Sequence, residues 1–171
     1  LRLTIDRTNW KFGQANINIF MLGVVYDGVA FPLLFSMLDK RGNSNSQERI
    51  NIINRFITIF GQGCIDSLVA DREFVGQDWL EYLNDKNIRY YIRIRNNFMV
   101  TIPGKPDKIK VSWLFNQYKE NEFKYYRKIV YINNQLCYLS GCKLRSSSKP
   151  EFLIIVSFNP KNSLKTVINW V

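Results

Sequence analysis

Histidine is absent from the 171 residues, and with it go the catalytic triads and zinc sites that depend on imidazole. Acid-base work then falls on carboxylates, lysine, tyrosine or bound water, and hard oxygen ligands point to magnesium or manganese. Three cysteines, Cys64, Cys137 and Cys142, cannot all pair within one chain and form no Cys-x-x-Cys motif, so they read as reduced thiols of a cytosolic protein. No apolar run reaches the ~20 residues needed to span a bilayer, and no signal peptide precedes the first strand. Acidic residues are scarce, 14 against 24 Lys and Arg, giving a net charge of +10. That balance favours a polyanionic partner, DNA or RNA first, over the plain alternative of a basic surface that only keeps the protein soluble. An opening methionine is lacking too; the sequence starts mid-strand and reads as an excised piece.

What is present is a hydrophobic content of 46%, enough for a folded domain with one filled core or a core carrying an insertion. Two apolar runs end in acid. Ile65 to Ala70 stops at Asp71-Arg72-Glu73, and Leu1, Leu3 and Ile5 alternate up to Asp6. Each reads as a strand with a carboxylate at its tip, where open α/β sheets place their ligands. One strand-end aspartate is more often a turn or helix cap. The pair suggests a shared metal site.

Taken in order, Arg7 to Gly13 reads as a polar loop, and Asn16 to Tyr26 as a long strand. Asp27-Gly28 is a hairpin turn, and Ala30 to Leu38 a returning third strand. Ser44 with Gln47 can form a capping box for a helix whose apolar face holds Ile50, Ile53, Ile57 and Phe60. Gly61-Gln62-Gly63 ends it. Val75, Trp79, Tyr82 and Leu83 mark a second helix ending near Asn87. Ile88 to Arg95 alternates as a fifth strand, with Arg93 and Arg95 facing phosphate or solvent. The order β-β-β-α-β-α-β predicts an α/β ribonuclease-H-like fold, a mixed five-stranded sheet flanked by helices over residues 1–97, in which the strands of Asp6 and Asp71 are neighbours.

Residues 98–157 read as a β-rich insertion after the fifth strand, broken by Pro103, Gly104 and Pro106 and studded with Trp113, Tyr125, Tyr131 and Tyr138. Ten Lys and Arg against four Asp and Glu give it +6 of the total charge. Ser146 to Pro150 reads as a loop, Phe152 to Phe158 as a last strand, and residues 158–171 as the start of a final core helix.

Asp6-Arg7-Thr8-Asn9-Trp10, and Val69-Ala70-Asp71-Arg72-Glu73 followed by a helix and the Tyr91-Ile92-Arg93 strand, resemble the catalytic domain of DDE cut-and-paste transposases. The closest group looks like the insertion-sequence-four family, over nearly the whole chain. The resemblance implies that Asp6 and Asp71 are catalytic and hold two Mg2+ or Mn2+ ions for phosphodiester hydrolysis and strand transfer. It puts the third ligand, a glutamate, on a helix after the insertion, within a Tyr-Arg-Glu-Lys signature that this sequence lacks. The chain therefore reads as truncated and inactive as it stands. Glu73, Glu120 and Glu122 are poor substitutes by side-chain alternation. The partner implied is double-stranded DNA, at transposon ends and target, bound by a homodimer without a membrane, in a bacterial, nucleoid-associated cytoplasmic setting. Arg7, Arg72, Arg93, Arg95, Lys105, Lys108, Lys110, Lys124, Arg127 and Lys128 are the candidate phosphate contacts. A structure-specific nuclease of the same fold, and a domesticated DNA-binding module without activity, are the competing readings.

Overall fold

A computed structural model describes residues 1–38, 42–145 and 151–158, with ten strands and two α-helices among them. The expected loop over Ser146 to Pro150 and the expected final helix lie outside the described residues. Two compact units divide the chain, Leu1–Ile88 and Arg89–Val171.

The first unit holds β1 (Arg2–Phe12), β2 (Ala15–Tyr26), β3 (Val29–Met37), α1 (Ser46–Phe60), β4 (Ser67–Ala70) and α2 (Gln77–Asp85). Its strands lie in the order β3-β2-β1-β4. β1 to β3 form an antiparallel meander, and β4 returns parallel to β1 after the helical crossover. Asp27 and Gly28 both take positive φ, 47° and 75°, the conformation a two-residue hairpin turn demands.

Residues 7–13 correct the expected loop. β1 continues through Phe12, paired with β2 from Arg7↔Phe20 to Phe12↔Ala15, and the chain reverses only at Gly13-Gln14, with Gly13 at φ 60°. Asn9 and Lys11 are exposed and Thr8 is only half-buried, so no burial pattern marks the strand; ladder hydrogen bonds hold this stretch extended. Capping is corrected as well. Asn45, not Ser44, caps α1, accepting from the Glu48 amide at 2.9 Å while the Glu48 carboxylate accepts from the Asn45 amide at 2.7 Å. The helix face turns with it: Arg49, Ile52, Ile53 and Phe56 are buried, while Phe60 is exposed. Asn45 starts the helix one residue later than Ser44 would, and the short Gly61 exit leaves the last turn uncovered.

Leu3 and Ile5 of β1, Phe20 and Leu22 of β2, and Leu68 and Ala70 of β4 are buried with the α1 face. Trp79, Leu80 and Leu83 bury α2. Tyr82 stacks on Trp79 and donates to Asn54 on α1 at 2.7 Å. On β3 the side chains fare differently: Val29, Phe31, Leu33, Phe35 and Met37 are all exposed, and a bulge shifts the register opposite Leu22 and Gly23.

The second unit holds β5 (Tyr90–Ile94), β6 (Met99–Thr101), β7 (Lys108–Lys110), β8 (Lys124–Ile132), β9 (Gln135–Leu144) and β10 (Glu151–Ser157). Their order is β5-β10-β9-β8-β6-β7, antiparallel throughout. Five of these strands, β6 to β10, fall within residues 98–157. β5 is less two-faced than its alternation suggests, since Tyr91 is buried with Tyr90, Ile92 and Ile94 and only Arg93 is half-buried. Gly141 lets β9 meet β10 closely: a Cβ there would stand 2.5 Å from the Leu153 carbonyl oxygen.

Candidate active site

β1 and β4 run parallel in the register Arg2↔Ser67, Leu3↔Leu68, Thr4↔Val69 and Ile5↔Ala70. Asp6 and Asp71 are each the next residue along. Neighbouring strands lie ~4.8 Å apart, so two carboxylates one step past a paired position fall within reach of ions ~4 Å from each other. Both residues are exposed. Asp6 is not a strand terminus as the sequence suggested, because β1 runs on; it marks instead the end of pairing with β4. Asp71 opens a turn, its carbonyl accepting from the Phe74 amide at 3.0 Å.

A second layer sits on the other face. Side chains alternate along β1, so Arg7 points with Leu3 and Ile5 toward the α1 side while Asp6 points away. Arg7 Nε donates to Glu73 Oε1 and Nη2 to Glu73 Oε2, each at 3.3 Å, and Nη2 also reaches Asn43 Oδ1 at 3.0 Å. Buried Arg49 donates to Ser44 Oγ at 3.0 Å and to the Glu73 carbonyl at 3.1 Å, with its guanidinium 5.2 Å over the Phe74 ring. Burial pulls the Arg49 pKa down, and the Glu73 charge opposes that shift. Phe74 in turn stacks on Phe20 of β2. The residue after one aspartate is thus bolted to the residue two beyond the other.

The sequence did not reveal this clamp, because Arg7 and Glu73 lie 66 positions apart. The one available signal was Arg49, a charged residue in phase with Ile52, Ile53 and Phe56. Glu73 spends both carboxylate oxygens on Arg7, so it is not a spare ligand. Among the described residues, no three His, Cys, Asp or Glu side chains group as a metal site. Asp6 accepts its own chain's Arg7 amide at 2.7 Å, and no described cation pairs with the carboxylate of Asp6 or Asp71. Two exposed carboxylates at matching positions past the β1–β4 pairing, with no described cation on either, are hard oxygen donors of the kind a divalent cation takes, so the donor set fits the metal the resemblance implies.

The candidate phosphate contacts separate by surroundings. Arg7 is committed to Glu73 and Asn43. Arg72 is exposed beside Asp71, Arg95 is exposed beyond β5, and Arg93 is half-buried. Lys105, Lys108, Lys110, Arg127 and Lys128 are exposed, whereas Lys124 forms an ion pair with Glu122. Lys108 and Lys110 flank Ile109 on β7, opposite Thr101 and Met99, so both ammonium groups leave one face. Arg127 and Lys128 fall where the β8 register breaks between Tyr126 and Val130; the bulge turns that basic pair outward. Trp113, in a 3₁₀ turn just after β7, is exposed.

The profile described as "Transposase DDE domain" matches residues 2–158, and the chain belongs to that family. Among solved structures it is similar to piggyBac transposase in a synaptic complex with hairpin DNA, at 11% identity and a TM-score of 0.49, over 99% of this chain. The chain spans 37% of that protein's length. No curated protein sequence matches it.

Proposed function

We propose that this chain is the catalytic domain of a DNA transposase with a ribonuclease-H-like core, of the insertion-sequence-four type, acting on double-stranded transposon ends and target DNA as a homodimer. The observation that carries the reading is the parallel register that ends at Ile5↔Ala70, with an aspartate next on each strand. Asp6 and Asp71 are the catalytic, metal-holding residues in this proposal. Two Mg2+ or Mn2+ ions, when bound, would supply activation of the attacking oxygen and stabilisation of the departing one. The chain's own part is placement: Asp6 and Asp71 offer oxygens on one face, and Glu73, held by Arg7, keeps the β4 exit from drifting. Arg72 lies beside the acids for a phosphate. Lys105, Lys108, Lys110, Arg127 and Lys128, with Arg95, give the basic second unit its hold on the DNA backbone.

Charge requires one more group. Two divalent ions bring +4 against −2 from the two aspartates, and a third carboxylate, proposed to follow the insertion, completes the set. Two measurements test this. Mn2+ titration by calorimetry should show a site lost in both Asp6→Asn and Asp71→Asn. In a protein extended past Val171, end cleavage of a labelled duplex should vanish in the same variants while DNA binding persists. Metal-dependent cleavage by residues 1–171 alone would overturn the need for the added carboxylate. Mn2+ binding that survives both substitutions would overturn the site.

A further inference from the structure

Arg49 is only 5% exposed, on the buried face of α1 beside Ile52, Ile53 and Phe56. A guanidinium taken out of water needs a carboxylate or a full set of acceptors, and burial works against the charge here. Glu73 is the acid that acts on it most strongly, yet the Glu73 carboxylate takes the hydrogen bonds of Arg7. Arg49 is left with neutral partners: the Ser44 hydroxyl and carbonyl, the Glu73 carbonyl and the Phe74 ring. A methionine would fill the same space without that desolvation cost, and buried charges exchanged for apolar groups are often neutral for stability. Core packing alone does not call for this residue. We infer that Arg49 is a positioning residue for Asp71, setting the turn after β4 through the Glu73 carbonyl and the Phe74 ring.

The chain between β4 and α2 is pinned on either side of Asp71. Ala70 is buried and paired with Ile5, which fixes the near side of the turn. On the far side the Glu73 carbonyl accepts from Arg49 Nη2 at 3.1 Å, and Phe74 lies under the guanidinium while stacking on Phe20 of β2. Asp71 and Arg72 alone span the gap, closed by the Phe74 amide donating to the Asp71 carbonyl at 3.0 Å. So short a span, held at both ends, fixes the Asp71 backbone while its side chain stays exposed for a ligand. Arg49 can hold the far end because it is itself held just before α1, where Nε donates to the Ser44 hydroxyl at 3.0 Å and Nη2 to the Ser44 carbonyl. Its planar fork reaches Ser44 and Glu73 together in one geometry, which a lysine ammonium on a flexible stem does not. Arg7 does a different job. It grips the Glu73 side chain, about which the backbone could still turn; Arg49 grips the backbone.

This inference rests on the metal site proposed above, and the test keeps the two apart. On the full 171-residue chain, Mn2+ binding is measured by calorimetry, and hydrogen exchange of residues 71–76 is followed without metal, for the parent, Arg49→Met, Arg49→Lys and Ile53→Ala. Arg49→Met should weaken Mn2+ binding about tenfold and speed exchange at the Phe74 amide, at a melting temperature close to the parent's. Arg49→Lys keeps the charge and one of the two reaches, so it should recover part of both losses. Ile53→Ala opens a cavity on the same buried face and should do the opposite: lower the melting temperature and leave Mn2+ affinity and the exchange of the turn unchanged. Parent-like affinity and exchange in folded Arg49→Met would overturn the inference. An equal loss of Mn2+ affinity in Ile53→Ala would overturn it too, because the effect would then be one of general stability. Should Arg49→Met not fold, Arg49→Lys decides on the same two readouts, and parent-like values there count against the role. A parent chain that binds no Mn2+ would sink the metal reading itself, while the exchange rates still decide whether Arg49 sets the turn.

Discussion

Glu73 lies two residues from Asp71 in the chain but serves the opposite face of the sheet, and that separation decides what each substitution should do. Removing it strands the half-buried Arg7 guanidinium, a cost of roughly 1–3 kcal/mol for a hydrogen bond to a charged partner. Glu73→Ala should lower the melting temperature and weaken Mn2+ binding about tenfold, the low end for a residue that positions ligands without touching the ion. Asp6→Asn should do the reverse, leaving the melt nearly unchanged and abolishing Mn2+ binding at the proposed site. Calorimetry and thermal melts on the same two proteins check the contrast. The thiols offer a second residue-scale prediction. Cys64 is exposed, whereas Cys137 and Cys142 are buried, and burial raises both of their pKa values, that of Cys137 to about 11. Iodoacetamide should therefore modify a single cysteine, Cys64, in the native protein at neutral pH and all three after unfolding, as counted by mass spectrometry.

Elements differ in how openly the sequence announced them. Asp27-Gly28, the two acid-ended runs and the alternating tracts of the insertion were legible because each rests on a local rule of turn chemistry or side-chain period. The far half of β1 was not, because Thr8 to Lys11 is held by a partner strand rather than by its own pattern. Asn133-Asn134, with φ of 47° and 64°, makes the β8–β9 hairpin turn without a glycine to signal it. Asn45 displaced Ser44 as the cap because the Ser44 hydroxyl accepts from Arg49, five residues on, a side-chain bond that capping rules do not anticipate. For the candidate site, the neighbouring strands that carry Asp6 and Asp71 were readable, while the Arg7–Glu73 bolt required knowing that residues 66 positions apart meet. Gly141 gives the element-scale prediction. Gly141→Ala forces a Cβ onto the Leu153 carbonyl and the Ile154 backbone, and backbone cannot step aside as a flexible side chain can. A loss of about 1–3 kcal/mol in urea unfolding is expected.

Across the whole molecule, charge and protonation give two bulk signatures. Residues 98–157 carry +6 of the +10, so DNA affinity should fall steeply with salt, and replacing Lys105, Lys108, Lys110, Arg127 and Lys128 by Gln should flatten that slope. Unchanged binding would move the DNA surface elsewhere. Alkaline stability follows from burial. Burial raises the pKa of Cys137 from 9.0 to about 11 and that of Tyr82 from 10.0 to about 12. The folded chain keeps protons that the unfolded chain has released. Stability from Cys137 is thus complete below pH 9 and is lost as pH rises toward 11, with Tyr82 following between 10 and 12. Melting temperature should decline across that window, and Cys137→Ala should soften its first half.

The edge strand β3 carries a practical consequence for anyone handling the protein. Val29, Phe31, Leu33, Phe35 and Met37 are exposed along a strand that ends its sheet, and such an edge invites pairing with a strand from another molecule. Pro32, which offers no amide hydrogen, and the register break opposite Leu22 and Gly23 interrupt the ladder midway. Arg55 of α1 donates to the Phe35 carbonyl at 3.1 Å, so the exposed side chains of Phe35 and Met37, more than an open ladder, make Leu34 to Met37 the sticky half. Concentrated solutions should therefore lose protein by slow precipitation rather than by unfolding, and a lysine at Phe35 should keep more of it in the supernatant at an unaltered melting temperature.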